Sequence, residues 1–343
     1  MWVSVVLAAF AAALVIAGLI YQAIGVRRDA VRLPPPGRLI DVGGFRLHVR
    51  SMGTGAPVVV LESGVGASSI NWTRVQQQAS AVTRIVSYDR AGLGWSDAPP
   101  TPRTSETIAR ELHTLLERAG VEPPIVLVGH SFGGFVARSY YRRFPEHVAG
   151  LVFVDTIFPD DWLQMSREQR RALRGGVLFA RIGAILAGLG IVRFLLNQLT
   201  SGAPAAPRAV LGLFGSTATS AITRIVGEVQ KMPVEMRPAI QAHWSHSKSF
   251  SSLAGYLSNL PRSAADAAGV TTFDDLPVAV ICAGGLGSDV QGKHEALAAM
   301  SSRGRLVLAE TSGHWVHLDD PALVVRVIGE IVDEVRRVRG IVS

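Results

Sequence analysis

One cysteine, three lysines and no internal repeat set the first limits on this 343-residue chain. With Cys282 alone no intrachain disulfide framework exists, and its apolar neighbours make an inert core thiol the expected role. Neither a dinucleotide-binding glycine fingerprint nor a cluster at metal-ligand spacing is present, so no cofactor and no metal is expected. Charged residues are also scarce, at 18% against 48% hydrophobic, so an apolar excess must be concentrated somewhere. The net charge of +7 comes from a basic complement that is 31 parts arginine in 34, spread without basic runs or nucleic-acid motifs. Attraction to an anionic membrane surface accounts for such a charge, and nucleic acid is not an expected partner.

The apolar excess begins at once. Trp2 to Val26 carries no charge, with Ser4, Tyr21 and Gln22 as its notable polar positions. Twenty-five helical residues reach roughly 37 Å, against a hydrocarbon core of about 30 Å. The stretch lacks a charged leading region and a small-residue cleavage site, so residues 1–26 are expected to be an uncleaved transmembrane anchor, not a signal peptide. Arg27, Arg28 and Arg32 flank only its carboxyl side, which favours a cytoplasmic location for the catalytic domain. Residues 27–37, with Pro34-Pro35-Pro36, are expected to be a short stiff linker.

From Arg38 the period changes. Arg38 to Val42 and Phe45 to Arg50 flank Gly43-Gly44, a two-residue hairpin signal. Pro57–Leu61, Arg84–Tyr88, Ile125–Val128, Leu151–Val154, Val278–Cys282 and Arg305–Leu308 are short apolar runs of the kind buried within a parallel sheet. Helical patterns alternate with them, at about Asn71–Ala81, Thr104–Ala119, Phe132–Phe144, Gly292–Met300 and Pro321–Val338. This alternation predicts an α/β fold with an eight-stranded, mostly parallel sheet and helices on both faces. It is interrupted for about 120 residues after the sixth strand, so 38–155 and 277–343 are expected to form the core and 156–276 a helical cap. Within that cap, 175–199 is nearly as apolar as the amino terminus. Arg181, Arg193 and five glycines argue against a second span, leaving cap helices over an apolar cleft, or else contact with a membrane surface.

The fifth apolar run breaks into Gly129-His130-Ser131-Phe132-Gly133 just before a helical pattern. A serine between glycines at a strand-to-helix turn is a nucleophile elbow, where larger neighbours would clash. A serine hydroxyl is a weak nucleophile, so Ser131 needs a base and a group that orients the base.

Four motifs, in order and spacing, carry a resemblance. They are Glu62-Ser-Gly-Val-Gly66 after the third strand, Asp89-Arg-Ala-Gly-Leu-Gly-Trp-Ser96 after the fourth, Gly129-His-Ser-Phe-Gly-Gly134 after the fifth, and Ser312-Gly-His-Trp315 after the last. From Arg38 onward the chain resembles the α/β-hydrolase superfamily, in particular its lidded serine esterases and lipases. The resemblance implies His314 as base, and an acid at one of two strand ends. Asp289 follows the seventh strand, the more usual site, on a long glycine-rich loop. Asp155 follows the sixth directly, and a rigid strand end holds a buried carboxylate better, so Asp155 is favoured with Asp289 as the alternative. It further implies an oxyanion hole from the backbone N–H groups of Phe132 and Val65, although Ser63-Gly64 stands where the family commonly has His-Gly.

The function this implies is cleavage of a small apolar carboxylic ester through an acyl-enzyme. The alternatives are a peptidase, thioesterase or carbon–carbon hydrolase, or a catalytically silent scaffold that binds an apolar ligand or partner. Epoxide hydrolases and haloalkane dehalogenases share the architecture but use a carboxylate nucleophile, which Ser131 is not.

Overall fold

Apolar runs too short for helices pair in this chain into a single sheet. The computed structural model describes residues 2–100, 102–200, 230–285 and 287–341. The strands are β1 (Arg38–Asp41), β2 (Arg46–Met52), β3 (Val58–Glu62), β4 (Ile85–Tyr88), β5 (Ile125–His130), β6 (Val148–Val154), β7 (Val278–Ala283) and β8 (Gly304–Ala309). Their order is β1-β2-β4-β3-β5-β6-β7-β8. β2 pairs antiparallel with β1 and β4, and every other pairing is parallel. Strands β3, β4, β5, β6 and β7 are buried along their whole length, which is why they read as continuous apolar runs without alternation.

Helices cover both faces. Those described are α1 (Trp2–Arg32), α2 (Thr73–Ala79), α3 (Ser105–Arg118), α4 (Gly133–Arg143), α5 (Asp160–Leu163), α6 (Arg167–Gly188), α7 (Ile191–Thr200), α8 (Arg237–Trp244), α9 (Ser247–Ser258), α10 (Leu260–Ala268), α11 (Ser288–Ala298), α12 (Val316–Asp319) and α13 (Pro321–Arg339). Val126 and Val128 of β5 pack with Val75 of α2 and Val324, Ile328 and Ile331 of α13, while Leu127 packs with Leu112 and Leu115 of α3 and Tyr140 of α4. The local signals agree with this placement. Thr104 caps α3 by accepting the Thr107 N–H, and Asp320 caps α13 by accepting the Leu323 N–H, with Pro321 in its first turn.

The chain divides into two compact units, Met1–Pro34 with Gly176–Ala254, and Pro35–Gly175 with Gly255–Ser343. The units meet at 175/176 and 254/255, within the expected cap of 156–276. Trp162, Leu173, Leu260, Ala264 and Ala267 belong to the cluster around Phe132 and Phe135, so the ends of the excursion are part of the sheet unit. Residues 201–229, also assigned to the cap, lie outside the described residues. Helix α1 also occupies part of the expected 27–37 linker. α1 continues through Arg27, Arg28 and Arg32 to the edge of Pro34, because arginine is a good helix former and the first obstacle is the proline run.

At 31 residues, or roughly 46 Å, α1 is long and apolar enough to cross a membrane. Its buried polar residue, Gln22, joins a network inside its own unit. Gln22 Nε2 donates to the Ser245 carbonyl at 2.8 Å, and Arg193 Nε donates to Gln22 Oε1 at 2.9 Å. Arg193 also pairs with Asp29 at 2.7 Å and is only 6% exposed. Thus the arginine that argued against a second span is folded inward and matched by a carboxylate. α6 and α7 meet at an 88° bend.

Candidate active site

The register of the sheet brings the candidate groups together. Glu62, at the end of β3, lies opposite Gly129 of β5, so the loop after β3 runs beside the turn after β5. At that turn Ser131 has φ 52°, a left-handed conformation that costs an L-residue about 1–2 kcal/mol. Backbone bonds from Ser131 N–H to Val154 O (3.1 Å) and from Gly134 N–H to Ser131 O (3.0 Å) hold it there. A Cβ on Gly129 would lie 2.6 Å from the Gly133 carbonyl oxygen, so the turn requires glycine.

Ser131, His314 and Asp155 form one hydrogen-bonded row. Ser131 Oγ lies 3.0 Å from His314 Nε2, and His314 Nδ1 lies 2.6 Å from Asp155 Oδ2. Asp155 directly follows β6, at φ 41°, with its N–H on the Ile281 carbonyl (2.8 Å) and its Oδ1 accepting the Ala283 N–H (3.0 Å). Burial raises the pKa of this carboxyl, but the hydrogen bonds from His314 and Ala283 and the nearby imidazoles outweigh it. The net position is below the ordinary carboxylate value, so Asp155 is an anion. Asp289 is instead exposed, in the first turn of α11, with no hydrogen bond to His314 among the described residues. The N–H groups of Phe132 and Val65 donate to no protein acceptor among the described residues, which leaves both available to a ligand. A serine hydroxyl on an imidazole whose other nitrogen faces a carboxylate is an arrangement that can transfer the hydroxyl proton during nucleophilic attack.

Several contributors were not singled out from sequence. Arg90, 2% exposed, donates from Nη2 to the Ser63 carbonyl (2.8 Å) and to the Gly64 carbonyl, and pairs with Glu62 at 3.2 Å. Tyr88 Oη donates to the second Glu62 oxygen. The guanidinium carbon lies over both the Phe132 and Tyr256 rings, 5.2 and 5.0 Å from their centroids. A buried Glu–Arg pair therefore shapes the loop that carries Val65. The visible signal was Glu62 itself, a charge placed between an apolar strand and glycines.

Behind the elbow, His130 Nε2–H donates to the His314 backbone carbonyl at 2.9 Å and fixes the loop that bears the imidazole. His317 stacks on Trp72 at 4.4 Å, and the His130 and His317 rings are 4.4 Å apart. Burial, with His317 and His314 as further neighbours, holds His130 well below the usual imidazole value. Burial and His314 lower His317 to about 3. His294, on α11, lies with its Nε2 3.5 Å from Asp155 Oδ1.

Comparison with known proteins agrees with the sheet. Residues 57–181 match the family described as alpha/beta hydrolase fold. An AB hydrolase superfamily protein of Gibberella zeae is 27% identical over 293 residues, 82% of this chain and 87% of that protein. "Probable transporter efuK" of Hormonema carpetanum is 41% identical over 126 residues, so that this chain spans only 18% of its length. The solved structure of a haloalkane dehalogenase DbeA-M1 loop variant from Bradyrhizobium elkanii is similar at TM-score 0.61 and 17% identity, over 88% of this chain and 98% of that one. The chain thus has the α/β-hydrolase fold, and residues 57–181 match that family's model.

The two buried imidazoles give a pH dependence with a definite sign. In the unfolded chain each takes up a proton near its ordinary value of 6.5, while in the folded chain His317 stays neutral to about 3. Their contribution is complete above pH 6.5 and is lost as pH falls, by about 1.4 kcal/mol per pH unit for each imidazole. Urea midpoints of the detergent-solubilised protein should fall between about pH 6.5 and about pH 5, and His317→Gln should flatten that slope. An equally steep slope in the variant would exclude the imidazole as its source.

Proposed function

We propose that this protein is a membrane-anchored serine hydrolase that cleaves an apolar carboxylic ester through an acyl-enzyme. The observation that carries the reading is the row from Ser131 Oγ through both ring nitrogens of His314 to Asp155. His314 Nε2 removes the hydroxyl proton as Oγ attacks the acyl carbonyl carbon, and Asp155 stabilises the imidazolium that forms. The tetrahedral oxyanion is received by the N–H groups of Phe132 and Val65, and loss of one such donor costs about 3–4 kcal/mol of transition-state stabilisation. His314 returns the proton to the departing alkoxide. Water, deprotonated by the same imidazole, then releases the acid.

The preference for an apolar acyl group is supported by Val65, Ile157 and Trp162, partly exposed apolar side chains on the Phe132 cluster. Membrane residence is supported by α1, and by exposed Leu178, Phe179, Ile182 and Ile185 on α6 and Phe194 on α7. We assign residues 156–276 the role of a cap that selects the substrate. The arginines that come after the apolar part of α1 support a cytoplasmic catalytic unit.

A fluorophosphonate probe should label the wild-type protein and fail to label Ser131→Ala. On p-nitrophenyl esters of increasing chain length, Asp155→Asn should lower kcat by about 10⁴, as expected when the imidazole takes the wrong tautomer, while Asp289→Asn should retain wild-type rates. Folded protein without Ser131-dependent labelling would favour the silent scaffold. Equal effects of the two aspartate variants would remove Asp155 from the triad.

Carbonate washing of membranes should leave the full chain in the pellet, and a reporter fused after Ser343 should be active on the cytoplasmic side. Release by carbonate would exclude the anchor, and reporter activity on the opposite side would reverse the orientation.

A further inference from the structure

Beside Asp155 stand two further donors, Cys282 and His294, that the proton relay does not use. Asp155, Cys282 and His294 each offer one ligand atom, these atoms lie within 4.8 Å of one another, and all three residues are buried. Asp155 follows β6, Cys282 is on β7 and His294 is on α11, so the sheet and one packed helix fix the three together. His294 Nδ1–H donates to the Val290 carbonyl one turn earlier at 2.9 Å. In the neutral imidazole that bond leaves Nε2 as a lone pair. Nε2 makes no hydrogen bond among the described residues, belongs to a side chain only 1% exposed, and faces Asp155 Oδ1 at 3.5 Å. A lone pair aimed at a carboxylate oxygen inside a protein is repulsive, and an ion between them removes the repulsion.

We infer that Cys282, His294 and Asp155 form a binding site for a thiophilic divalent cation such as Zn²⁺, and that the bound cation inhibits the hydrolase by engaging the carboxylate that holds His314. The donor set suits the ion. Zn²⁺ takes thiolate, imidazole and carboxylate at about 2.0–2.3 Å, which puts donors of a tetrahedral site roughly 3.3–3.7 Å apart. The Nε2 to Oδ1 spacing already falls in that range at 3.5 Å. An imidazole whose other N–H is anchored on a backbone carbonyl is the usual partner arrangement for a metal-bound histidine. Binding replaces the thiol proton of Cys282 with the metal and releases that proton to solvent. A fourth position is left for water. Asp155 Oδ1 then shares its charge with a dication, and Oδ2 holds the His314 Nδ1–H less strongly, so attack by Ser131 slows. The inhibitory part of this inference rests on the triad proposed above, whereas binding itself does not.

The experiment uses the full-length protein in detergent, treated with chelator and then titrated with Co²⁺ and with Zn²⁺. One equivalent of Co²⁺ should produce the ultraviolet sulfur-to-cobalt charge-transfer band, and Zn²⁺ should displace it and raise the melting temperature. Cys282→Ser should lose the band, and both Cys282→Ser and His294→Gln should weaken binding at least tenfold. Circular dichroism and the metal-free melting temperature establish that these variants are folded. Zn²⁺ should inhibit ester hydrolysis of the wild type after preincubation, reversibly with EDTA, and should inhibit Cys282→Ser only at ten or more times the concentration. Absence of the cobalt band in folded wild-type protein, or a band that survives Cys282→Ser, overturns the site. Stoichiometric binding with undiminished hydrolysis overturns the inhibition while keeping the site. Binding by a protein that hydrolyses no ester in either state would fault the hydrolase reading alone.

Discussion

A carboxylate withdrawn from water must be met by donors, and the centre of this molecule is arranged around meeting one. Asp155 is 5% exposed. Its oxygens take an N–H from β7 and the imidazole of His314, and a second imidazole stands at the edge of contact distance. Its own backbone leaves β6 in the left-handed region, which turns the side chain out of the sheet direction. Three neighbouring strand ends are thereby tied into one cluster: β6 supplies the carboxylate, β7 the amide that fixes it, and the loop after β8 the imidazole. β5 joins through Ser131, whose N–H rests on the last carbonyl of β6. Placing reactive groups at the carboxyl ends of parallel strands is general for open α/β sheets, because the strands end together and their loops can converge.

Much of this was legible in the chain. Strands buried on both faces must be continuous apolar runs, so β3, β5, β6 and β7 could be read directly, and the alternation with helices indicated a mostly parallel sheet covered on both faces. The serine elbow was legible because its glycines are a steric necessity. The choice between Asp155 and Asp289 was not fixed by pattern, since both come after apolar strands. It depends on where a side chain points after the strand ends, which is a matter of backbone dihedrals and of the neighbouring amide at Ala283.

The supporting shell was harder to read, for a different reason. Arg90 and Glu62 lie 28 positions apart, and nothing in either local stretch announces that the guanidinium will close over the carbonyls of the Glu62 loop. The same holds for His294, whose relation to Asp155 exists only once α11 has packed on β7. The borders of the compact units were not legible for yet another reason. α6 and α9 each run from one compact unit into the other, so there is no break in helical pattern to mark the change of partner.

The network of Gln22, Arg193, Asp29 and Ser245 gives α1 a second identity. A hydrophobic helix that only tethers needs no polar partners, yet this one carries a glutamine and an aspartate matched to an arginine and a carbonyl over 160 positions away. Removing α1 would strip Arg193 of its counter-ion and leave the Ser245 carbonyl without that donor. The helix is thus a structural part of its unit, and its loss would be felt first in the packing of its partner helices.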